Sequence, residues 1–170
     1  GGRAPLGPHR RGPDVGRDRG LERPRAGHVV RAGEAFVSLG TSGVLFAAAM
    51  AGSAQPAWID AALLQMQQSQ AALVELLARH GCRACTDVTG FGLLGHLGRM
   101  AIESGVECII DFASIPFLAG AVAHAAAGVM PGGSRRNLAW GTQLLDAGDH
   151  DELDRLLVAD AQTSGGLIFG

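Results

Sequence analysis

Blocks of apolar residues along the chain predict helices that alternate with short strands. The clearest block predicts one amphipathic helix over residues 60–81, ended by a glycine, because apolar side chains recur there at helical spacing: Ile59, Leu63, Met66, Leu73 and Leu77. A second amphipathic helix is predicted over residues 92–104, with Gly105 as its stop. The helical period is therefore the dominant signal in the middle of the chain.

The remaining segments predict a sheet with helices packed on it. Strands are predicted at 29–39, 82–85, 106–112 and 167–169, and the apolar stretch 43–52 is predicted to be helical or extended. Helices are predicted at 115–127 and from a capping box of Asp149 and Glu152 through Val158, with a glycine-rich loop at 130–137. This order of elements predicts an α/β or mixed α+β layered fold.

Residues 1–27 differ from the rest of the chain. They are mostly Gly, Pro, Arg and Asp, and they hold too few apolar groups to offset the entropy lost on ordering, so we expect a disordered segment. A frameshift or cloning artefact is an alternative origin for such a stretch. We expect one domain over residues 28–170, truncated at its C-terminus because Gly170 falls within a predicted strand.

Composition excludes several classes of function. The chain is 47% hydrophobic and 18% charged, and it has no apolar run of about 18 residues that could span a membrane. Eight of its arginines lie within residues 1–36, but no aromatic residue precedes Phe36 and no amphipathic repeat organises them, so nucleic acid is not an expected partner. Three cysteines and no recognisable leader favour the reducing cytoplasm.

Three segments combine glycine with small hydroxyl residues: Thr86–His96, Pro131–Asn137 and Gln162–Gly166. Loops of this composition can bring backbone N–H groups close to a phosphate, and a helix that follows adds its positive N-terminal dipole. The alternative is that they are tight turns in which glycine supplies a positive φ. The composition alone leaves both interpretations open.

Asp87 is the candidate metal ligand. It follows a predicted strand and precedes a glycine-containing turn and a helix, where a ligand crevice lies in many α/β layers. A carboxylate beside Thr86 and Thr89 suits Mg²⁺, which usually takes one or two protein carboxylates together with water and substrate phosphates. The alternative is that Asp87 caps the helix that follows.

The histidine and the cysteines near this segment are predicted to be structural. His96 lies on the face of the 92–104 helix, where a lone histidine is most often packed or solvated. Cys82 and Cys85 form a C-x-x-C pair, but no second pair completes a zinc site, and Cys108 stands alone. We therefore assign no catalytic role to any of the three thiols.

Taken together, the three segments resemble the motifs of one family. Ala84–Leu97, with the sequence ACTDVTGFGLLGHL, is similar to the hallmark of selenophosphate synthetases (selenide, water dikinases). Pro131–Asn137 and Asp160–Leu167 resemble that family's later motifs in the same order, and Gly43–Met50 and Trp58–Asp60 add to the likeness. The resemblance covers about residues 29–170.

The resemblance implies a fold, a reaction and a set of site residues. The family belongs with the AIR synthase-related proteins, which have two α/β domains and form homodimers, and it converts selenide, ATP and water to selenophosphate, AMP and phosphate with Mg²⁺. This chain corresponds to the C-terminal domain, in which Asp87 is the metal ligand and Thr86, Thr89 and Gly90 are candidate cofactor-binding residues.

The resemblance also implies what the chain does not supply. The catalytic Cys or selenocysteine, the catalytic Lys, the other metal-binding aspartates and the nucleotide loop belong to the family's N-terminal domain, so no catalytic residue is assigned here and the chain alone is expected to be inactive. Two departures stand out: residues 37–43 lack the family's Lys and Pro, and Ala161 replaces a proline. A non-catalytic phosphate-binding or dimerisation module, or a degraded gene product, are the alternatives.

Overall fold

The computed structural model describes residues 42–170. The segment 1–27, the predicted strand at 29–39 and the start of the predicted domain therefore lie outside the described residues. Within residues 42–170 there are seven α-helices and two strands: α1 Ser42–Met50, α2 Pro56–Met66, α3 Ala71–Arg79, β1 Cys85–Asp87, α4 Gly92–Ser104, α5 Ala121–Ala126, α6 Gly132–Gly141, α7 Glu152–Val158 and β2 Leu167–Phe169. Short 3-10 turns lie at Phe112–Ser114 and Thr142–Leu144.

The two strands form a small antiparallel sheet in which Thr86 lies opposite Ile168. This confirms the strand predicted at 167–169, whereas the strand predicted at 82–85 begins only at Cys85 and continues to Asp87. The combination of this sheet with packed helices confirms the mixed α/β class. Because the two strands are antiparallel, the crevice rule for parallel sheets does not by itself place a ligand beside Asp87.

The core lies between the sheet and helices α4 and α7. Its buried residues are Val88, Leu93, Leu94, Val158, Ala159 and Ile168. The apolar period of α4 aims Leu93 and Leu94 into this cluster, and α4 ends at Gly105 in the left-handed conformation (φ 65°), as the sequence predicted. A second cluster joins Val44 of α1 to Ala125 and Leu157. Because Val158 of α7 lies in the first cluster and Leu157 of α7 in the second, α7 links the core beside the sheet to α1.

The predicted helix over residues 60–81 is wrong as a single element. The structure has α2 and α3 with a break at residues 67–70, where the sequence Gln-Gln-Ser-Gln offers no apolar side chain to continue the buried stripe. Helices hold together mainly through tertiary packing of an apolar face, and α3 has no buried residue at all. None of the helices in residues 42–170 is long and apolar enough to cross a membrane.

Three further predictions need correction. Residues 106–112 are not a strand: Glu107 forms only an isolated bridge, and the Asp111 side chain accepts a hydrogen bond from the Ala113 N–H at the start of a 3-10 turn. The predicted helix at 115–127 shortens to α5, which begins after Gly120 (φ 81°). Asp151, not Asp149, caps α7 by accepting from the Asp154 N–H at 3.0 Å.

The largest correction concerns the loop predicted at 130–137, because residues 132–137 form the first six residues of the helix α6. Pro131 stands at its N-cap with extended backbone (φ −61°, ψ 144°), and Gly132 and Gly133 form its first turn. Proline suits the start of a helix because it lacks an N–H that would have no partner there. The helical conformation decides where the polar side chains of this motif point.

Candidate functional site

The three glycine-containing motifs lie against one another, and α6 joins them. The Asn137 Nδ2 donates to the carbonyl oxygen of Gly90 at 2.8 Å and to that of Ala159 at 3.1 Å. One turn earlier, the Ser134 hydroxyl donates to the Asp160 carboxylate at 2.7 Å. We call residues 86–92, 131–137 and 160–166 together the motif cluster.

Backbone hydrogen bonds connect the first and third motifs directly. The Val88 N–H donates to the carbonyl oxygen of Gly166 at 2.9 Å, and the Gly165 N–H returns a bond of 3.0 Å to the carbonyl oxygen of Val88. The Gln162 N–H donates to the carbonyl oxygen of Thr89, also at 3.0 Å. The sheet pairing of β1 and β2 thus continues into the two loops.

Two glycines of the cluster are needed for this close packing. A Cβ on Gly165 would clash with the carbonyl oxygen of Val88, and one on Gly92 would come within 2.7 Å of the Ala159 carbonyl carbon. Gly92 also has a positive φ of 68°. By contrast, a Cβ on Gly90 would meet nothing within 4 Å, so its surroundings are open. Close packing and turn geometry therefore account for Gly92 and Gly165, but not for Gly90.

Asp160 is the residue of the cluster that sequence reasoning missed. Its side chain is fully buried and accepts from the Val44 N–H at 3.2 Å, so it caps the first turn of α1 from a distant part of the chain. Burial raises the pKa of Asp160 to about 6, while hydrogen bonds from Ser134 and from backbone N–H groups oppose that shift. An aspartate that opens a Gln-Thr-Ser-Gly-Gly motif was visible in the sequence, but its burial was not.

Asp87 lies at the end of β1 with an exposed side chain. The N-cap position of α4 is taken by Phe91, and no side chain caps that helix, so Asp87 is not a helix cap. Within residues 42–170 no group of three His, Cys, Asp or Glu side chains could hold a metal ion. A single exposed carboxylate fits a Mg²⁺ site in which water and substrate phosphates supply the other ligands.

His96 supports the loop that follows Asp87. Its Nε2 accepts from the Thr89 N–H at 3.1 Å and lies 3.1 Å from the Thr89 hydroxyl. Burial lowers the pKa of His96, against a smaller opposing effect of the Asp87 charge. For Nε2 to accept a hydrogen bond the ring must be neutral, and the lowered pKa of His96 favours that form.

Thr86, a candidate cofactor-binding residue, is half-buried, and its hydroxyl donates to the backbone carbonyl oxygen of Asp87 at 3.4 Å.

Most N–H groups of this loop are already used. The Val88 N–H donates to the carbonyl oxygen of Gly166, and the Thr89 N–H donates to the Nε2 of His96. The Gly92 N–H donates to the carbonyl oxygen of Thr89. Among the hydrogen bonds between described residues, the N–H groups of Gly90 and Phe91 have no acceptor. These two groups lie at the uncapped start of α4, a position at which N–H groups can bind an anion.

The cysteines lie beside the cluster as free thiols. Burial, with smaller effects of Cys82 and Asp87, raises the pKa of Cys85, and burial raises that of Cys108. Cys82 Sγ donates to the carbonyl oxygen of Ala84 at 3.2 Å. Cys85 also lines a shallow groove of about 410 Å³ between β1 and α4, together with His96 and Arg99. A raised pKa lowers the thiolate fraction and makes a thiol a poor nucleophile, which favours a structural role for these cysteines. That role remains a prediction.

Comparison with known proteins now identifies the family. Residues 26–133 match the family described as "AIR synthase related protein, C-terminal domain". The chain belongs to this family. Curated relatives named selenide, water dikinase match as well, which confirms the resemblance to selenophosphate synthetases.

Three of these relatives show the extent of the likeness. That of Porphyromonas gingivalis (strain ATCC 33277) is 41% identical over 143 residues, which cover 82% of this chain and 40% of the relative. That of Trichlorobacter lovleyi is 42% identical over 98 residues (58% and 28%), and that of Salmonella typhimurium is 46% identical over 89 residues (52% and 25%). The chain thus matches well under half the length of these relatives.

Proposed function

We propose that the chain is the C-terminal domain of a selenide, water dikinase, with the domain boundaries at residues 28 and 170. In the complete enzyme, selenide, ATP and water would be converted to selenophosphate, AMP and phosphate in the cytoplasm. The domain's contribution is Asp87 as a Mg²⁺ ligand, with Thr86, Thr89 and Gly90 in the loop that faces the nucleotide phosphates. This proposal is supported by the similarity to relatives of that name and by the geometry of the loop.

The observation that carries the site is the combination of a free carboxylate with free N–H groups in one rigid loop. Asp87 is exposed, and the N–H groups of Gly90 and Phe91 have no acceptor among the described residues, while the rest of the loop is tied to β2, His96 and α6. A Mg²⁺–phosphate complex presents a cation for the carboxylate and anionic oxygens for the N–H groups. The loop carries both kinds of group between Asp87 and Phe91.

We further propose that the 170-residue chain makes no selenophosphate alone. The sequence has no lysine, and the described residues form no group of three His, Cys, Asp or Glu side chains that could hold a metal ion. With one carboxylate, most of the coordination shell of Mg²⁺ falls to water, so binding in the isolated chain should be weak. Assembly as a homodimer in the complete enzyme is proposed on the family resemblance.

The test uses a chimera in which this chain replaces the matching segment of the Porphyromonas gingivalis relative. We expect selenide-dependent formation of AMP, and we expect Asp87→Asn to abolish most Mg²⁺-dependent turnover with little effect on a denaturant melt of the 170-residue chain. Asp146→Asn, which changes an exposed aspartate outside the motif cluster, is the control and should leave turnover unchanged.

Two outcomes would overturn the proposal. A folded chimera without selenide-dependent AMP formation contradicts the assigned function. Near-normal turnover of Asp87→Asn, at every Mg²⁺ concentration, contradicts the metal role and leaves the carboxylate without a function in the reaction.

A further inference from the structure

Asn137 is the one side chain of α6 that hydrogen-bonds the loop after Asp87. Its Nδ2 carries two N–H bonds, and both are used, for the carbonyl oxygens of Gly90 at 2.8 Å and Ala159 at 3.1 Å. Two acceptors around one nitrogen also fix the orientation of the carboxamide, since the flipped amide would place its oxygen against two carbonyl oxygens. The Gly90 carbonyl group is therefore held towards α6.

The geometry of the peptide bond transmits this restraint to the other side of the loop. The described residues contain no cis peptide, so the Gly90–Phe91 peptide is planar and trans, with its C=O and N–H bonds pointing in opposite directions. Because the carbonyl oxygen of Gly90 faces Asn137, the N–H of Phe91 must point away from α6. That N–H is one of the two in the loop with no acceptor among the described residues.

The side chain of Phe91 packs beside this peptide. Gly95 of α4 packs against Phe91 so closely that a Cβ there would lie 2.6 Å from the Phe91 Cβ. Phe91 is 65% exposed, and its ring contacts that of His96 with a centroid distance of 5.9 Å. Asn137 thus holds the peptide itself, while α4 and His96 contact the Phe91 side chain.

We propose that Asn137 is a positioning residue, which holds the Gly90–Phe91 peptide so that the Phe91 N–H donates to a phosphate oxygen of the Mg²⁺-bound nucleotide. The inference rests on the proposed function, since it takes Asp87 as the metal ligand in the same loop. Asn137 itself touches neither the metal nor the nucleotide.

The same helix provides a matched control. Thr142, at the C-terminal end of α6 and outside the motif cluster, donates from its hydroxyl to the carbonyl oxygen of Leu138 at 2.7 Å, and it makes no hydrogen bond to the loop after Asp87. Thr142→Ala should therefore lower stability without turning the Gly90–Phe91 peptide. Asn137→Asp keeps the shape of the side chain but replaces its donors by an anion facing two carbonyl oxygens.

The experiment uses the isotope-labelled 170-residue chain. Residual dipolar couplings measure the direction of the Phe91 N–H bond without ligand, and the shift of the Phe91 amide on titration with ADP and Mg²⁺ measures affinity. We expect Asn137→Asp to change the bond direction and to weaken ADP binding about 10-fold, the loss of roughly one hydrogen bond to a charged group. Thr142→Ala should retain both values.

The outcomes separate this inference from the proposed function. If Asn137→Asp leaves the direction of the Phe91 N–H and the ADP affinity as in the unchanged chain, the positioning role is overturned, whatever Asp87→Asn does. If Thr142→Ala weakens ADP binding as much as Asn137→Asp does, the effect is one of stability and the role is again overturned. If Asp87→Asn binds Mg²⁺ and ADP normally while the Phe91 N–H turns in Asn137→Asp, the metal assignment fails and the restraint on the peptide survives.

Discussion

The Ser134 hydroxyl donates a hydrogen bond of 2.7 Å to the buried carboxylate of Asp160 and accepts one of 3.1 Å from the N–H of Ala161. The same carboxylate accepts from the N–H of Val44. A single buried charge therefore links the first turn of α1, the first turn of α6 and the motif after α7. Removing either partner should loosen all three segments together, because a buried polar group without a partner is costly.

Replacement of Ser134 by alanine should lower the free energy of unfolding by about 1–3 kcal/mol, since it leaves both the Asp160 carboxylate and the Ala161 N–H short of a partner. The matched control is Ser114→Ala, which removes an exposed hydroxyl bonded to Asp111 at 2.6 Å. We expect that change to cost far less. Urea denaturation of both variants measures the difference. Equal losses of unfolding free energy would show that the buried Ser134 bond contributes no more to stability than the exposed Ser114 bond does.

Asp160 should make stability depend on pH in a definite direction. Its pKa rises from 3.8 to about 6 on folding because of burial, so the folded chain binds the proton more tightly than the unfolded chain does. This contribution to stability is fully present below about pH 4 and is lost as the pH rises through about 6.

The measurement compares urea melts of the unchanged chain and of Asp160→Asn between pH 4 and pH 8. The difference in unfolding free energy between the two should change by up to about 3 kcal/mol across that range, and it should level off above the pKa. Asp146→Asn serves as the exposed control and should follow the unchanged chain. A difference that stays constant with pH would contradict the raised pKa.

Gly165 should not tolerate a methyl group. A Cβ there would clash with the backbone oxygen of Val88, which cannot move without breaking its bond to the Gly165 N–H, so Gly165→Ala should cost about 1–3 kcal/mol or more. Gly90→Ala is the matched control, because a Cβ at that position meets nothing within 4 Å. Thermal melts compare the two variants. Equal stability would contradict the tight contact between the first and third motifs.

Acidification should release the loop from His96. Burial lowers the pKa of His96 below 6.5, so its contribution to stability is present above the unfolded value and is lost as the pH falls through the folded pKa. Protonation places a hydrogen on Nε2, which can then no longer accept from the Thr89 N–H. The Thr89 amide resonance should shift and exchange faster at low pH. In His96→Gln that pH dependence should disappear, and its persistence would assign the effect to another group.

Much of the candidate site was visible in the sequence because its signals are local. The segment from Thr86 to His96, the helix α4 with its stop at Gly105 and the strand β2 follow from residue order, helical period and glycine chemistry. The family resemblance rests on the same local motifs. What these motifs could not decide was whether Asp87 was a cap or a free carboxylate, because that depends on which residue begins α4 in space.

Tertiary structure decided the contacts that join distant parts of the chain. The bond from Val44 to Asp160 spans 116 residues, and that from Asn137 to Gly90 spans 47. The local sequence of residues 130–137 is typical of a glycine-rich loop, yet residues 132–137 are helical. In that conformation Ser134 and Asn137 reach their partners in the other two motifs. The sequence by itself determined the three glycine-containing motifs, but not the place of Asp160 among them. Packing determined which of them are buried, since the free energy of a buried hydrogen bond depends on a partner that no local pattern specifies.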